Sequence, residues 1–162
     1  MKKHNMLFGK VPPQAIDAEQ SVIGSCLIER EAFEAVYEVI QSHEVFYRTE
    51  HQLIFAAILK VYQDGYPVDL LTVTNELRKT NSLEEAGGAY GLTMLSANVT
   101  STAHVQTHAL IVKEKFNARE LIRLCSDAIS KAFSEEHDVF DLLQDTERSI
   151  QSISEGNSVS SF

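Results

Sequence analysis

From Thr102 to Phe133 the chain contains neither glycine nor proline. Those are the two residues a helix interior tolerates least, so nothing in this stretch stops a helix once it has begun. Apolar side chains recur at Val105, Val112, Phe116, Leu121, Ile122, Cys125, Ile129 and Ala132, at spacings that keep one helical face apolar. The stretch therefore reads as a single helix longer than the domain average. A short polar turn, SEEHD, follows, and Val139, Leu142, Leu143, Ile150 and Ile153 carry the same period into a final helix. Two long helices joined this way form an antiparallel hairpin. Its outer apolar face stays wet unless a second copy covers it, which predicts a dimer with a seam at Ile122, Cys125, Ile129, Leu142, Leu143, Ile150 and Ile153.

The preceding part of the chain also reads as helical. Only 7 glycines and 3 prolines occur in 162 residues, leaving little room for strands. The expected fold class is all-α: a compact helical head followed by a long antiparallel helical hairpin. Pro12 and Pro13 hold an extended arm, after which Asp17, with Gln20 three residues on, offers a capping box for a helix whose apolar face is Val22, Ile23, Cys26 and Leu27. Phe33, Val36, Tyr37 and Ile40 mark a second helix over Glu31 to Ile40. A third begins near Thr49 and stops at Asp64-Gly65. Asp69 and Thr72 offer caps for a fourth, ending near Asn81. Ser82 with Glu85 suggests another capping box, leading through Gly87-Gly88 into a short helix around Tyr90 to Leu95. The division expected is an arm over 1–13, a head over 14–100, a hairpin over 101–155 and linker composition over 156–162.

Charge and motif content narrow the function. A formal charge of -9 opposes a surface built to coat phosphate, which needs a surplus of Lys and Arg. Lys115, Arg119 and Arg123 do line one edge of the long helix, but Glu114 and Glu120 flank them, so that edge reads as solvated and partly salt-paired. Cys26 and Cys125 both lie in apolar helical patterns and read as core residues of a reduced, cytosolic protein. Neither a signal peptide nor a membrane span is evident, so the expected location is the cytoplasm.

No G-x-x-x-x-G-K-[ST] loop is present to cradle a nucleotide's phosphates. His104 and His108 stand four apart, a spacing that can hold a metal, but no Cys or acidic residue matches them nearby. Ser21, Ser25 and Cys26 lack a neighbouring base in sequence. The carboxylate pairs Glu84-Glu85 and Glu135-Glu136 sit at turns, where solvent and helix dipoles favour them. The expectation is no catalytic, cofactor or metal site.

Five segments in register resemble one family: PPQAIDAEQSVIG, VFYRTEHQLIFAAI, PVDLLTVTNEL, LEEAGGAYGLTMLSANVTSTAHV and HALIVKEKFNARELI. They are similar to the N-terminal region of bacterial replicative DNA helicases of the DnaB family, over roughly Val11 to Glu155. The resemblance implies a non-catalytic collar that dimerises through the hairpin, assembles as a trimer of dimers and recruits the C-terminal domain of primase. It places ATP, Mg, the helicase activity and most DNA contact in a motor domain after the linker, which this sequence does not contain. It also points to Tyr90, Arg119 and Ile122 as primase contacts, with Ile129 taking the place of Ile122 if the register slides a turn. Tyr90 capping the head's core and Ile122 lying within the seam are the competing readings of those residues. Two other functions stay open at this point: a stand-alone helical adaptor that captures primase or a helicase loader, and weak binding of single-stranded DNA.

Overall fold

In the computed structural model, which describes residues 9–158, there are seven α-helices and, between the second and third, a 3-10 turn. They are α1 (Ile16–Ile28), α2 (Arg30–Val39), α3 (Thr49–Gln63), α4 (Leu70–Lys79), α5 (Gly88–Ala97), α6 (Val105–Ser134) and α7 (Val139–Ser158), with the 3-10 turn at His43–Val45. No strand occurs among the described residues. The fold is all-α, a helical head followed in the chain by a helical hairpin. Contacts divide it into two compact units, Gln14–Glu114 and a second that gathers Pro13 with the chain from Lys115 onward.

In the first unit α1 packs against α2, α3 and α5, and α3 packs against α4. Val22, Ile23 and Cys26 are fully buried, as the apolar face of α1 requires, together with Phe46, Ile54, Phe55 and Ile58. The rings of Phe46 and Phe55 lie 4.8 Å apart, within the range of favourable aromatic contact. Gly24 sets how closely α1 and α5 approach. A Cβ there would lie 2.2 Å from the Leu95 carbonyl oxygen and 2.6 Å from Val99 Cγ2, so only hydrogen fits.

One clasp in this unit has no local sequence signature. α3 begins after Arg48, which makes no side-chain cap. The cap comes instead from α1: Glu19 Oε1 accepts from the Tyr47 N–H at 2.6 Å, and Oε2 accepts from the Arg48 N–H at 3.4 Å. Oε2 also lies 2.6 Å from His51 Nδ1, on the first turn of α3. Glu19 is 1% and His51 4% exposed, so the carboxylate is desolvated where backbone donors and a helix N-terminus compensate it.

Several expected local features differ from the structure. Asp17 is not a cap: α1 starts at Ile16 with Ala15 in the N-cap position, leaving Asp17 in the first turn, where its charge suits the helix dipole. Ser82 and Glu85 form no capping box, because residues 83–87 are turn and α5 starts only at Gly88, after Gly87 at φ 101°. The Asp69–Thr72 box does form: Asp69 accepts from the Thr72 N–H at 2.8 Å and Thr72 Oγ1 accepts from the Asp69 N–H at 3.1 Å.

In the second unit α6 and α7 are joined by the turn Glu135–Asp138, with Glu135 at φ 56°. Asp138 Oδ1 accepts from the N–H groups of Phe140 and Asp141 and so caps α7. Helix α7 continues through Gly156 to Ser158, past the point where linker composition starts; the end of that tail, 159–162, lies outside the described residues, as does the arm before Gly9. Cys125 is exposed rather than part of the core. Helical periodicity places it on an apolar stripe, but the chain's own residues do not cover that stripe. Cys26 is the buried thiol, and burial pushes its pKa well above the ordinary range, leaving it inert as a nucleophile.

Candidate functional site

Two surfaces stand out, one in each unit. The first is a cleft of about 510 Å³ formed by α1, α5 and the start of α6. Its polar lining comes from Asp17, Gln20 and Ser21 on α1, Asn98 after α5, and His104 and His108 at the start of α6, and Met94 and Leu95 supply apolar contact. Tyr90 stands on α5 at 77% exposure, and Met94, four residues on and therefore on the same helix face, is 38% exposed. The pair makes an apolar strip on the helix that forms one wall of a cleft with mixed polar and apolar lining. Tyr90 does not cap the core. That combination of aromatic anchor and polar surround suits contact with another protein.

Within the cleft Ser21 Oγ and His108 Nδ1 are 3.0 Å apart. Ser21 therefore does have a histidine partner, contrary to the reading from sequence neighbours, and the 87-residue separation explains why that reading missed it. The bond ties the first full turn of α6 to α1. Ser25 is also satisfied within the helix, donating to the Ser21 carbonyl at 2.6 Å. Just before α6 the Thr102 hydroxyl donates to Glu29, between α1 and α2, and Gln106 on α6 donates to Glu38 on α2 at 3.2 Å. Among the described residues no group of three or more His, Cys, Asp or Glu side chains is placed to hold a metal ion.

The second surface is on the hairpin. Ile122 is 41%, Ile129 49%, Leu143 63% and Ile150 45% exposed, while Leu142 and Ile153 are half-buried. Phe133 and Phe140, which flank the turn between α6 and α7, are 85% and 70% exposed and were not among the expected site residues. Phe133 stands four residues after Ile129 and Phe140 three before Leu143, so both extend the apolar stripe of the hairpin toward its turn.

Arg119 is half-buried and donates from Nη1 to the Pro13 carbonyl at 2.8 Å, with its guanidinium 5.8 Å from the centroid of the Phe116 ring. It holds the PPQ arm to α6. Arg123 donates to Glu120 at 2.8 Å. Two of the three cations along that edge are thus engaged within the chain, which weakens the edge as a track for phosphate.

Comparison with known proteins agrees on one family. A family model described as DnaB-like helicase N terminal domain matches residues 11–114. The chain is similar to the replicative DNA helicase DnaB of Rhodothermus marinus, 42% identical over 147 residues that make up 91% of this chain and 15% of that protein. It is 37% identical over 158 residues to the replicative DNA helicase DnaC of Bacillus subtilis, covering 98% of this chain and 35% of the relative. The chain thus spans about a third or less of these relatives' length. Among solved structures, the N-terminal domain of DnaB helicase from Mycobacterium tuberculosis matches with a TM-score of 0.81 at 33% identity, covering 88% of this chain and 99% of that one. A DnaB-like replicative helicase described with its interactions with primase matches with a TM-score of 0.75 at 26% identity, over 85% of this chain and 31% of that one.

Proposed function

The chain belongs to the DnaB-like helicase N-terminal domain family, and from that premise we propose that it works as the assembly and docking collar of a replicative DNA helicase. The sequence holds no G-x-x-x-x-G-K-[ST] loop to cradle a nucleotide, so the chemistry of unwinding is not assigned to these residues. Its own work is to pair with a second copy and to hold primase near the fork.

The observation that carries the proposal is where the apolar surface lies. Of the sixteen large apolar side chains left exposed among the described residues, eight fall between Leu121 and Ile150, on α6 and α7. A monomer has no reason to concentrate them there, whereas an isologous helical seam does. A stable pair needs about 1,200 to 2,000 Å² of total buried surface, an area that two helices of this length can supply. Trimerisation of such dimers into a hexameric collar requires a second, different contact. Primase recruitment is assigned to Tyr90 and Met94 at the cleft on α5 and to exposed residues of α6, Ile122 and Ile129 among them. Arg119 is assigned to the arm, with any partner contact secondary to that role. A solved relative described with its interactions with primase supports this reading.

The assembly half is tested by the mass of the chain in solution. Light scattering across a wide concentration range should give the mass of two chains, and a monomer throughout would overturn it.

A further inference from the structure

At its closed end the hairpin combines exposed rings with unmatched negative charge. Phe133, one residue from the end of α6, and Phe140, the second residue of α7, are 85% and 70% exposed on either side of the turn, and Val139 beside them is 66% exposed. Every residue from 129 to 141 is exposed. Glu135, Glu136, Asp138 and Asp141 lie within this end, and no lysine or arginine occurs between Lys131 and Arg148. Those two cations are already engaged, Lys131 by Asp127 at 2.8 Å and Arg148 by Asp145 at 3.5 Å, and none of the four carboxylates makes an ion pair among the described residues. Helix stability accounts for only part of this charge. Asp138 and Asp141 suit the N-terminus of α7, and Asp138 caps it. Glu135 and Glu136 directly follow the C-terminal end of α6, where the dipole favours a cation. Glu135 also takes φ 56°, a left-handed position usually held by glycine or asparagine at a helix end. Two local preferences thus oppose the glutamate that stands there.

Rings and carboxylates together favour one cation over the other. A guanidinium stacks its flat face on an aromatic ring while its edge donates two parallel bonds to a carboxylate, whereas an ammonium holds a tight water shell and gains less from a ring. A second copy of the chain does not meet this need. Tip against tip would set like charges together, and of the arginines on α6, Arg119 donates to the Pro13 carbonyl and Arg123 to Glu120. Nucleic acid is repelled by the same charge. The residues assigned to pairing stop at Ile129 on α6 and Leu142 on α7, so Phe133 and Phe140 lie beyond them, nearer the turn. We propose that the closed end of the hairpin is a docking site for an arginine-bearing segment of a partner protein, its guanidinium groups resting on Phe133 and Phe140 and pairing with the carboxylates of Glu135, Glu136 and Asp141. An aliphatic residue beside the arginines covers Val139.

The probe is a synthetic peptide of repeating Arg-Leu-Ala-Arg, titrated into the isotopically labelled chain and followed by amide chemical shifts. A control peptide carries Lys in place of every Arg. Saturable shifts at Phe133, Glu136, Phe140 and Asp141 are expected, weakening as salt rises, with the lysine peptide bound several-fold less tightly. Affinity should fall about tenfold in Phe140→Ala and in the double variant Glu135→Gln with Glu136→Gln. These side chains are exposed, so circular dichroism of both variants should match the parent. The proposal is overturned by the absence of saturable shifts, by shifts spread over other acidic surfaces of the chain, by equal affinity for the lysine peptide, or by unchanged affinity in either variant. It is also overturned if Phe140→Ala lowers the solution mass from two chains to one, since the end of the hairpin would then be a contact between copies of this chain.

Discussion

Glu19 and His51 show most clearly how single residues hold this head together. Their side chains are buried, and Glu19 satisfies two backbone donors while its contact with His51 helps fix the entry to α3. Glu19→Ala leaves those donors and His51 without their partner inside the core. It should therefore cost about 3 to 5 kcal/mol, the range for breaking one side of a buried pair, read as a lower urea midpoint with unchanged m-value. Glu19→Gln keeps the shape and one acceptor, so it should cost less than Glu19→Ala; equal loss in both would mean that the charge dominates over the hydrogen bonds. Neither residue signals this role in sequence. Glu19 looks like any first-turn acid, and its partners lie 28 to 32 residues away. The Ser21–His108 pair was hidden for the same reason. Side chains that meet across the fold leave no spacing rule for a reader of one sequence to apply.

At the scale of elements, apolar periodicity locates α1, α2, α3, α6 and α7, because burying one face is what most helical stability comes from, whereas α4 and α5 are located by cap and turn residues. Boundaries depend on local competition, and there the record divides. Asp69 and Thr72 cap α4 as their spacing suggests, whereas Ser82 and Glu85 carry a similar pattern into a turn. Periodicity also cannot say whether a chain covers its own stripe, which is why Cys125 reads as core and stands exposed. Two substitutions test how the elements pack. Gly24→Ala pushes a methyl group into the Leu95 carbonyl and should cost about 1 to 3 kcal/mol by forcing α1 and α5 apart, measured by denaturant unfolding. Ile129→Asp, at a position 49% exposed, should leave stability and helicity nearly unchanged while lowering the mass in light scattering from two chains to one. A dimer that persists in Ile129→Asp and in Leu143→Asp would place the pairing surface elsewhere.

For the whole molecule, the chain's family was legible because five long segments resemble it in order and in register, and that kind of signal survives where single motifs fail. The candidate contacts were only partly legible. Tyr90 is indeed a solvent-exposed ring beside a cleft, yet Met94, Asp17 and the histidines that share the cleft's walls become neighbours only in the fold. Arg119, expected to face a partner, is bonded to the arm that opens the domain. Removing it should loosen that arm: Arg119→Ala should speed amide exchange around Val11 and Gln14 while leaving the core's protection intact.

The central claim is the proposal that this chain is a docking collar that recruits primase. It is tested most directly by calorimetric titration with the C-terminal domain of the primase from the same organism, with masses determined in the same buffer. The account predicts saturable binding to the two-chain species, weakened about tenfold or more by Tyr90→Ala in a variant that remains folded and dimeric. A folded dimer that gives no heat and no change in mass with primase at any attainable concentration would contradict it.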